Sequence, residues 1–196
     1  MASVLDRLFT MVKAKFVRAK TNTMPEAAEH PAPKIVPLDE QRLSREDALG
    51  GHSMAAEENK ALARRGFELW NSGDLAASVE LIADDYVLHD PAAPGIRGHD
   101  GYKQFFTLYH TAFPDTHLGI EDLVAEGDRA VVRWTATGTH RGELQGIPPT
   151  GKQVTVTGIT IYRIAGGKIV EQSQNWDTLG LMQQLGVVPA QGQAVG

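Results

Sequence analysis

Three long runs between Arg129 and Trp176 carry apolar residues at every second position or nearly so, which is the period of a pleated strand. Arg129–His140 is rich in Val, Trp and Thr, residues that suit a half-buried sheet surface. Gln153–Ile164 places Val154 and Val156, then Ile159 and Ile161, at strand spacing, and Lys168–Trp176 returns after Gly166-Gly167, a pair free to take the positive φ of a tight hairpin. The segment GELQGIPPTG continues neither a strand nor a helix and is read as a loop. Long strands adjacent in sequence predict an antiparallel meander.

Upstream the period changes. Glu57–Ser72 predicts a helix with Leu62, Phe67, Leu69 and Trp70 as its apolar positions, ended by Asn71-Ser72-Gly73. Asp74 is placed to cap a short helix over Leu75–Ile82. Tyr86–His89 predicts a short strand, and Asp90 to Gly98 a loop. Asp100–Phe113 predicts a helix with an aromatic face of Tyr102, Phe105, Phe106 and Tyr109, followed by a strand over Thr116–Glu126. Asp177 is placed as the N-cap of a closing helix. Helices followed by a run of strands give an α+β class.

The first part of the chain follows other rules. Leu5, Leu8, Phe9, Val12 and Phe16 share one helical stripe, with Lys13, Arg18 and Lys20 largely off it. A basic amphipathic helix of this kind lies on an anionic membrane surface, docks in a partner's groove, or packs on its own domain. Pro25, Pro31, Pro33 and Pro37 then bias the chain to extended conformations. The expected organisation is a basic helix over 1–20, an extended linker or arm over 21–54, a globular domain over 55–189 and a flexible tail over 190–196.

Composition narrows the partners. The 196 residues are 42% hydrophobic and 22% charged, an ordinary globular balance with no apolar run long enough to span a bilayer. Cysteine is absent, which excludes disulfides and thiolate catalysis and is compatible with a cytoplasmic setting or a peripheral place at a membrane. A net charge of −5 argues against nucleic acid as a partner. That charge is uneven: residues 1–20 carry Arg7, Lys13, Lys15, Arg18 and Lys20 against Asp6 alone, ahead of an acidic body.

The segments GTHRGELQGIPPTGK, GITIYRIAGGKIVE and WDTLGLMQQLG, with LWNSGD, YVLHDP and AFPD before them, resemble the SnoaL-like polyketide cyclase (ester cyclase) branch of the NTF2-like superfamily, in the family's order, over residues 55–189. The resemblance implies a cone: a strongly curved antiparallel sheet wrapped around helices, with a pocket between them. It also implies cofactor-independent chemistry on a hydrophobic or aromatic small molecule, and pairing into a homodimer or higher homo-oligomer. In aklanonate- and nogalonate-type cyclases the proposed acid/base for aldol closure is a carboxylate three residues after the glutamate of the GKIVE segment. Here that glutamate is Glu171, so the matching position is Gln174. An amide holds hydrogen bonds but does not exchange a proton near neutral pH. Little or no activity on anthracycline-type substrates is therefore expected.

No nucleophile elbow, phosphate loop or metal-spaced His/Cys set occurs, and neither His30 nor His52 has a ligand cluster around it. General acid–base chemistry in an enclosed pocket is what remains. The titratable candidates are His89, Asp90, His110, His140, Glu171 and Asp177. His89 is the first choice, because it ends a strand where the resemblance places the cavity; Asp90 points oppositely if the strand continues. His140 is read as fixing a loop, and Glu171 as pairing with Arg133. Trp70, Tyr86, Trp134, Gln172 and Trp176 are the expected pocket walls, with Gln172, Gln174 and Trp176 on one face of the last strand. The pattern leaves open which face looks inward. Two functions fit. One is a cofactor-independent cyclase, isomerase or lyase, with His89 moving the proton and Gln174 orienting a carbonyl or enolate oxygen. The other is a non-catalytic NTF2-like binding or structural subunit docked to a partner or membrane through residues 1–52.

Overall fold

The computed structural model describes residues 38–189, with side chains from Met54 onward. The basic helix expected over 1–20, the proline-rich stretch up to Pro37 and the tail over 190–196 lie outside the described residues. Four helices and five strands follow in the order α1 (Leu38–Ser72), α2 (Leu75–Glu80), β1 (Ile82–His89), α3 (Gly98–Ala112), β2 (His117–Glu126), β3 (Arg129–Thr139), β4 (Gln153–Ala165), β5 (Lys168–Trp176) and α4 (Thr178–Leu185). None of these helices is long and apolar enough to cross a membrane.

Residues 38–54 correct the expectation of an extended linker over 21–54: they are the first part of α1. The prolines stop at Pro37, and the sequence after it is dominated by good helix formers. Gly50 and Gly51 each cost about 1 kcal/mol relative to alanine, which the length of the helix absorbs.

The strands form one sheet in the order β1-β5-β4-β3-β2. The β2–β3, β3–β4 and β4–β5 pairs are antiparallel, as the meander requires. β1 departs from an all-antiparallel sheet: it adds beyond β5 in parallel, Leu88 opposite Gln172 and His89 opposite Ser173. Register shifts interrupt β1–β5, β2–β3 and β4–β5, the kind of irregularity that bends strands and curves a sheet.

One face of the sheet is the core. Ala130, Val132 and Trp134 of β3 and Val154, Val156, Thr160 and Tyr162 of β4 are buried there at period two. Ala63 and Phe67 of α1 and Tyr102, Phe105 and Phe106 of α3 close over it. Gly158 sits under the Trp134 indole, where a Cβ would come within 2.4 Å of the ring. Ile159 and Ile161 belong to the opposite, outer face and are exposed, so the run Val154, Val156, Ile159, Ile161 changes side. At the ends, Asp177 accepts from the Gly180 amide at 2.7 Å and Gly186 closes α4 with φ 82°. Asn71 ties the end of α1 to both backbone groups of Leu118 on β2.

Candidate functional site

A cavity of about 130 Å³ lies between the inner face of the sheet and the helices. That is close to the ~150 Å³ at which an apolar cavity admits a benzene ring. One wall is aromatic: Phe67 and Trp70 from α1, Phe105 and Tyr109 from α3. Trp70 packs against Phe105 at 5.8 Å and Tyr109 against Trp176 at 6.2 Å, centroid to centroid. The other wall is the sheet, with Trp134, Tyr162, Gln172, Gln174 and Trp176. No Lys, Arg, His, Asp or Glu lines it among the described residues.

The polar groups of the sheet wall form a chain. The Tyr86 hydroxyl donates to Gln172 Oε1 at 2.8 Å, Gln172 Nε2 to Gln174 Oε1 at 2.7 Å, and Gln174 Nε2 to Asp90 Oδ2 at 2.7 Å. Trp176 Nε1 donates to the same oxygen at 3.2 Å, and the Ala92 amide to Asp90 Oδ1 at 2.7 Å. Asp90 is only 5% exposed and stands directly behind the two cavity-lining side chains that hold it. A carboxylate left in such a place without donors would be costly; three donors answer it. Parallel pairing is what brings the two ends together, because β1 and β5 run side by side with their C-terminal ends adjacent.

The phenols around the cavity stay protonated. Burial pushes Tyr102 up to about 12. Burial raises Tyr109 further, helped by the charge of Asp90, and burial likewise raises Tyr86 and Tyr162. Each is therefore an O–H donor at any pH at which the protein works.

Of the residues singled out in the sequence, Trp70, Trp134, Gln172, Gln174 and Trp176 line the cavity, and Tyr86, fully buried, supports it from behind Gln172. His89 does not belong. Its side chain is 54% exposed on the outer face, with Nε2 2.8 Å from Glu171 Oε1. The cause is parity: Tyr86 and Leu88 point inward, so His89 points out and Asp90 in. Glu171 pairs with Arg163 at 2.7 Å and with His89, not with Arg133, whose partner is Asp122. Arg163 and then His89 hold the Glu171 carboxyl below its usual range. His140 does fix a loop: it is fully enclosed, its Nδ1 accepts from the Thr150 amide at 3.2 Å, and burial lowers its pKa. His110 bridges helices, with Nδ1 3.0 Å from the Phe106 carbonyl and Nε2 2.9 Å from that of Trp70. Asp90, a titratable candidate ranked behind His89 in the sequence, is the one that the inner face holds. The signal for it is parity: it continues the alternation of Tyr86 and Leu88, the two apolar inward positions of the strand just before it.

Residues 60–185 match the family model of SnoaL-like polyketide cyclases. The chain is 31% identical over 130 residues to aklanonic acid methyl ester cyclase DauD of Streptomyces sp. (strain C5), covering 64% of this chain and 80% of that one. The same identity over 130 residues relates it to aklanonic acid methyl ester cyclase DnrD of Streptomyces peucetius, covering 64% and 88%. Among solved structures, AclR from Streptomyces galilaeus superposes with a TM-score of 0.63 at 30% identity, covering 69% of this chain and 85% of that one. TsrD from Streptomyces laurentii superposes with 0.61 at 30% identity, covering 67% and 97%. With the cone, the cavity and these relatives in agreement, the chain is a member of the SnoaL-like polyketide cyclase family.

Proposed function

We propose that this protein is a cyclase or isomerase acting on a neutral, carbonyl-bearing aromatic molecule, with Asp90 as its proton acceptor. The observation that carries this reading is the 2.7 Å bond between Gln174 Nε2 and Asp90 Oδ2. The position at which the resemblance expects a carboxylate holds an amide, and the missing charge stands one side chain away, on the residue that follows the neighbouring strand. The Trp176 bond to Asp90 is the longer of the two on Oδ2, and Trp176 is half-buried. Displacement of its indole by a ligand gives Oδ2 access to the cavity.

In the reaction Asp90 Oδ2 takes a proton from the carbon beside a carbonyl, and the C–H electron pair becomes an enolate. The enolate carbon bonds to a second carbonyl carbon of the same molecule, and the resulting alkoxide recovers the proton from Asp90. Return of the proton to a different carbon instead gives isomerisation. Gln174 orients the carbonyl or enolate oxygen, and the protonated phenol of Tyr109 is a further donor at the cavity wall. A lining without cations favours an uncharged ligand, since a free carboxylate would meet no counter-charge and lie close to Asp90.

Hydrogen–deuterium exchange at the carbon beside the carbonyl of phenylacetone tests the step without knowledge of the natural substrate. Catalysed exchange that Asp90→Asn removes supports the reading. Wild-type exchange equal to buffer, or undiminished in Asp90→Asn, refutes it and returns the chain to the role of a non-catalytic binding subunit.

Pairing of two copies through the outer sheet face belongs to the same proposal. Val124, Val131 and Ile161 lie in one row across β2, β3 and β4, with Ile159 beside them, and Val124, Ile159 and Ile161 are exposed.

A further inference from the structure

The chain from Tyr86 to Asp90 has a direction, and the direction comes from one end. A glutamine amide has two nearly isosteric ends and takes its orientation from its partners. The Asp90 carboxylate only accepts, so Gln174 must turn Nε2 toward it. That leaves Gln174 Oε1 to receive Gln172 Nε2, and Gln172 Oε1 to receive the Tyr86 hydroxyl. Each amide keeps one N–H and one lone pair unused within this chain, and both glutamines line the cavity.

We propose that Gln172 and Tyr86 are positioning residues, which act through Gln174 to keep its second N–H turned to the carbonyl oxygen of a bound ketone or ester. This deepens the function given above and rests on it. One nitrogen then holds both the proton acceptor and the oxygen of the group to be enolised. A ligand whose oxygen sits on Gln174 Nε2 brings its neighbouring carbon within reach of Asp90. If Gln174 were reversed, its oxygen would face the carboxylate and repel it, and a lone pair would meet the ligand carbonyl. Asp90 bars that reversal, and Tyr86 holds Gln172 in place from the far end. Tyr86 is fully buried, burial keeps its phenol protonated, and its O–H is bonded to Gln172 Oε1 at 2.8 Å.

Infrared spectroscopy of phenylacetone labelled with carbon-13 at the carbonyl reads this orientation directly. Bound to the wild type, the carbonyl stretch should fall below its value in an apolar solvent, and Gln174→Met should abolish the fall. Gln172→Glu offers two acceptor oxygens, captures the second N–H of Gln174, and should abolish it as well, with binding roughly threefold to tenfold weaker. Gln172→Met keeps the volume, removes the anchor without adding charge, and should broaden or lose the shifted band; it serves if the glutamate variant does not fold. A shifted band unchanged in the folded Gln172 variants overturns the proposal, as does a wild type that shows no shift or no saturable binding. A shift that depends on Gln172 in a protein that exchanges no deuterium would leave this orientation standing and remove the catalytic reading.

Discussion

Gln174 and Asp90 join at the end of the parallel strand pair by a bond of 2.7 Å from Nε2 to Oδ2. The contact predicts that the two functional groups can be exchanged. Asp90→Asn alone should lower the exchange rate by about 10²–10⁴-fold, the usual worth of general acid–base assistance. The double variant Asp90→Asn with Gln174→Glu puts the carboxylate on β5 and the amide just past the end of β1, and should recover part of that loss. Gln174→Glu alone sets two carboxylates in contact, so one should hold its proton to higher pH and the pH–rate profile should move up. A double variant no faster than Asp90→Asn would show that the acceptor's place at position 90 is obligatory.

His89→Ala should leave deuterium exchange at the wild-type level and shift the melting temperature only slightly. The side chain is exposed, and its Glu171 partner keeps Arg163. Loss of exchange in this variant would move the chemistry to the outer face.

Most of the fold was legible in the sequence, and half of the site. β3 and β4 declare themselves because their inner residues, from Val132 to Tyr162, keep a period of two, and β5 follows from the Gly166-Gly167 hairpin although its buried positions skip from Ile169 to Gln172. The walls Trp70, Trp134 and Trp176 followed from bulk. The choice between His89 and Asp90 did not, because residue type favoured the histidine while parity favoured the aspartate, and only the burial of Tyr86 and Leu88 settles which face is inside. The pairing of Glu171 with Arg133 expected from sequence fails for a related reason: strand neighbours are not sequence neighbours, and Arg163 stands opposite Glu171 in the register.

Gly158→Ala should destabilise the protein by about 1–3 kcal/mol, because the added carbon overlaps the Trp134 ring and overpacking costs of that order are usual. Trp134 Nε1 also donates to Thr160 Oγ1 at 2.9 Å, so the ring cannot retreat without breaking that bond. Chemical denaturation measures the change; an unchanged midpoint would show that the indole has room to move.

Stability should also fall on acidification through His140. Burial holds its imidazole below the ordinary value of 6.5, so below that pH the unfolded chain binds more protons than the folded one. The contribution is complete above the ordinary value and is lost as the pH drops beneath it. Melting curves from about pH 7.5 to about pH 5 should show this slope, and it should flatten in His140→Gln. An equal slope in the variant would assign it to other groups.

Light scattering at micromolar concentration should give a homodimer or larger homo-oligomer, and Ile161→Lys on the outer face should shift it toward monomer. A monomer mass for the wild type would mean that the exposed row of Val124 and Ile161 stays in water.

The parallel seam between β1 and β5 also sets when the site can exist. The bond between Gln174 and Asp90 spans 84 positions of sequence, and that between Tyr86 and Gln172 spans 86. Hairpins β2–β3 and β4–β5 can close locally, but β1 must wait for the last strand to arrive, and contacts of such separation form slowly. Until then β5 is a bare edge, and its glutamines have only water. During synthesis the carboxylate emerges long before the amide that will hold it, so the hydrogen-bonded chain behind the cavity closes only with the final strand.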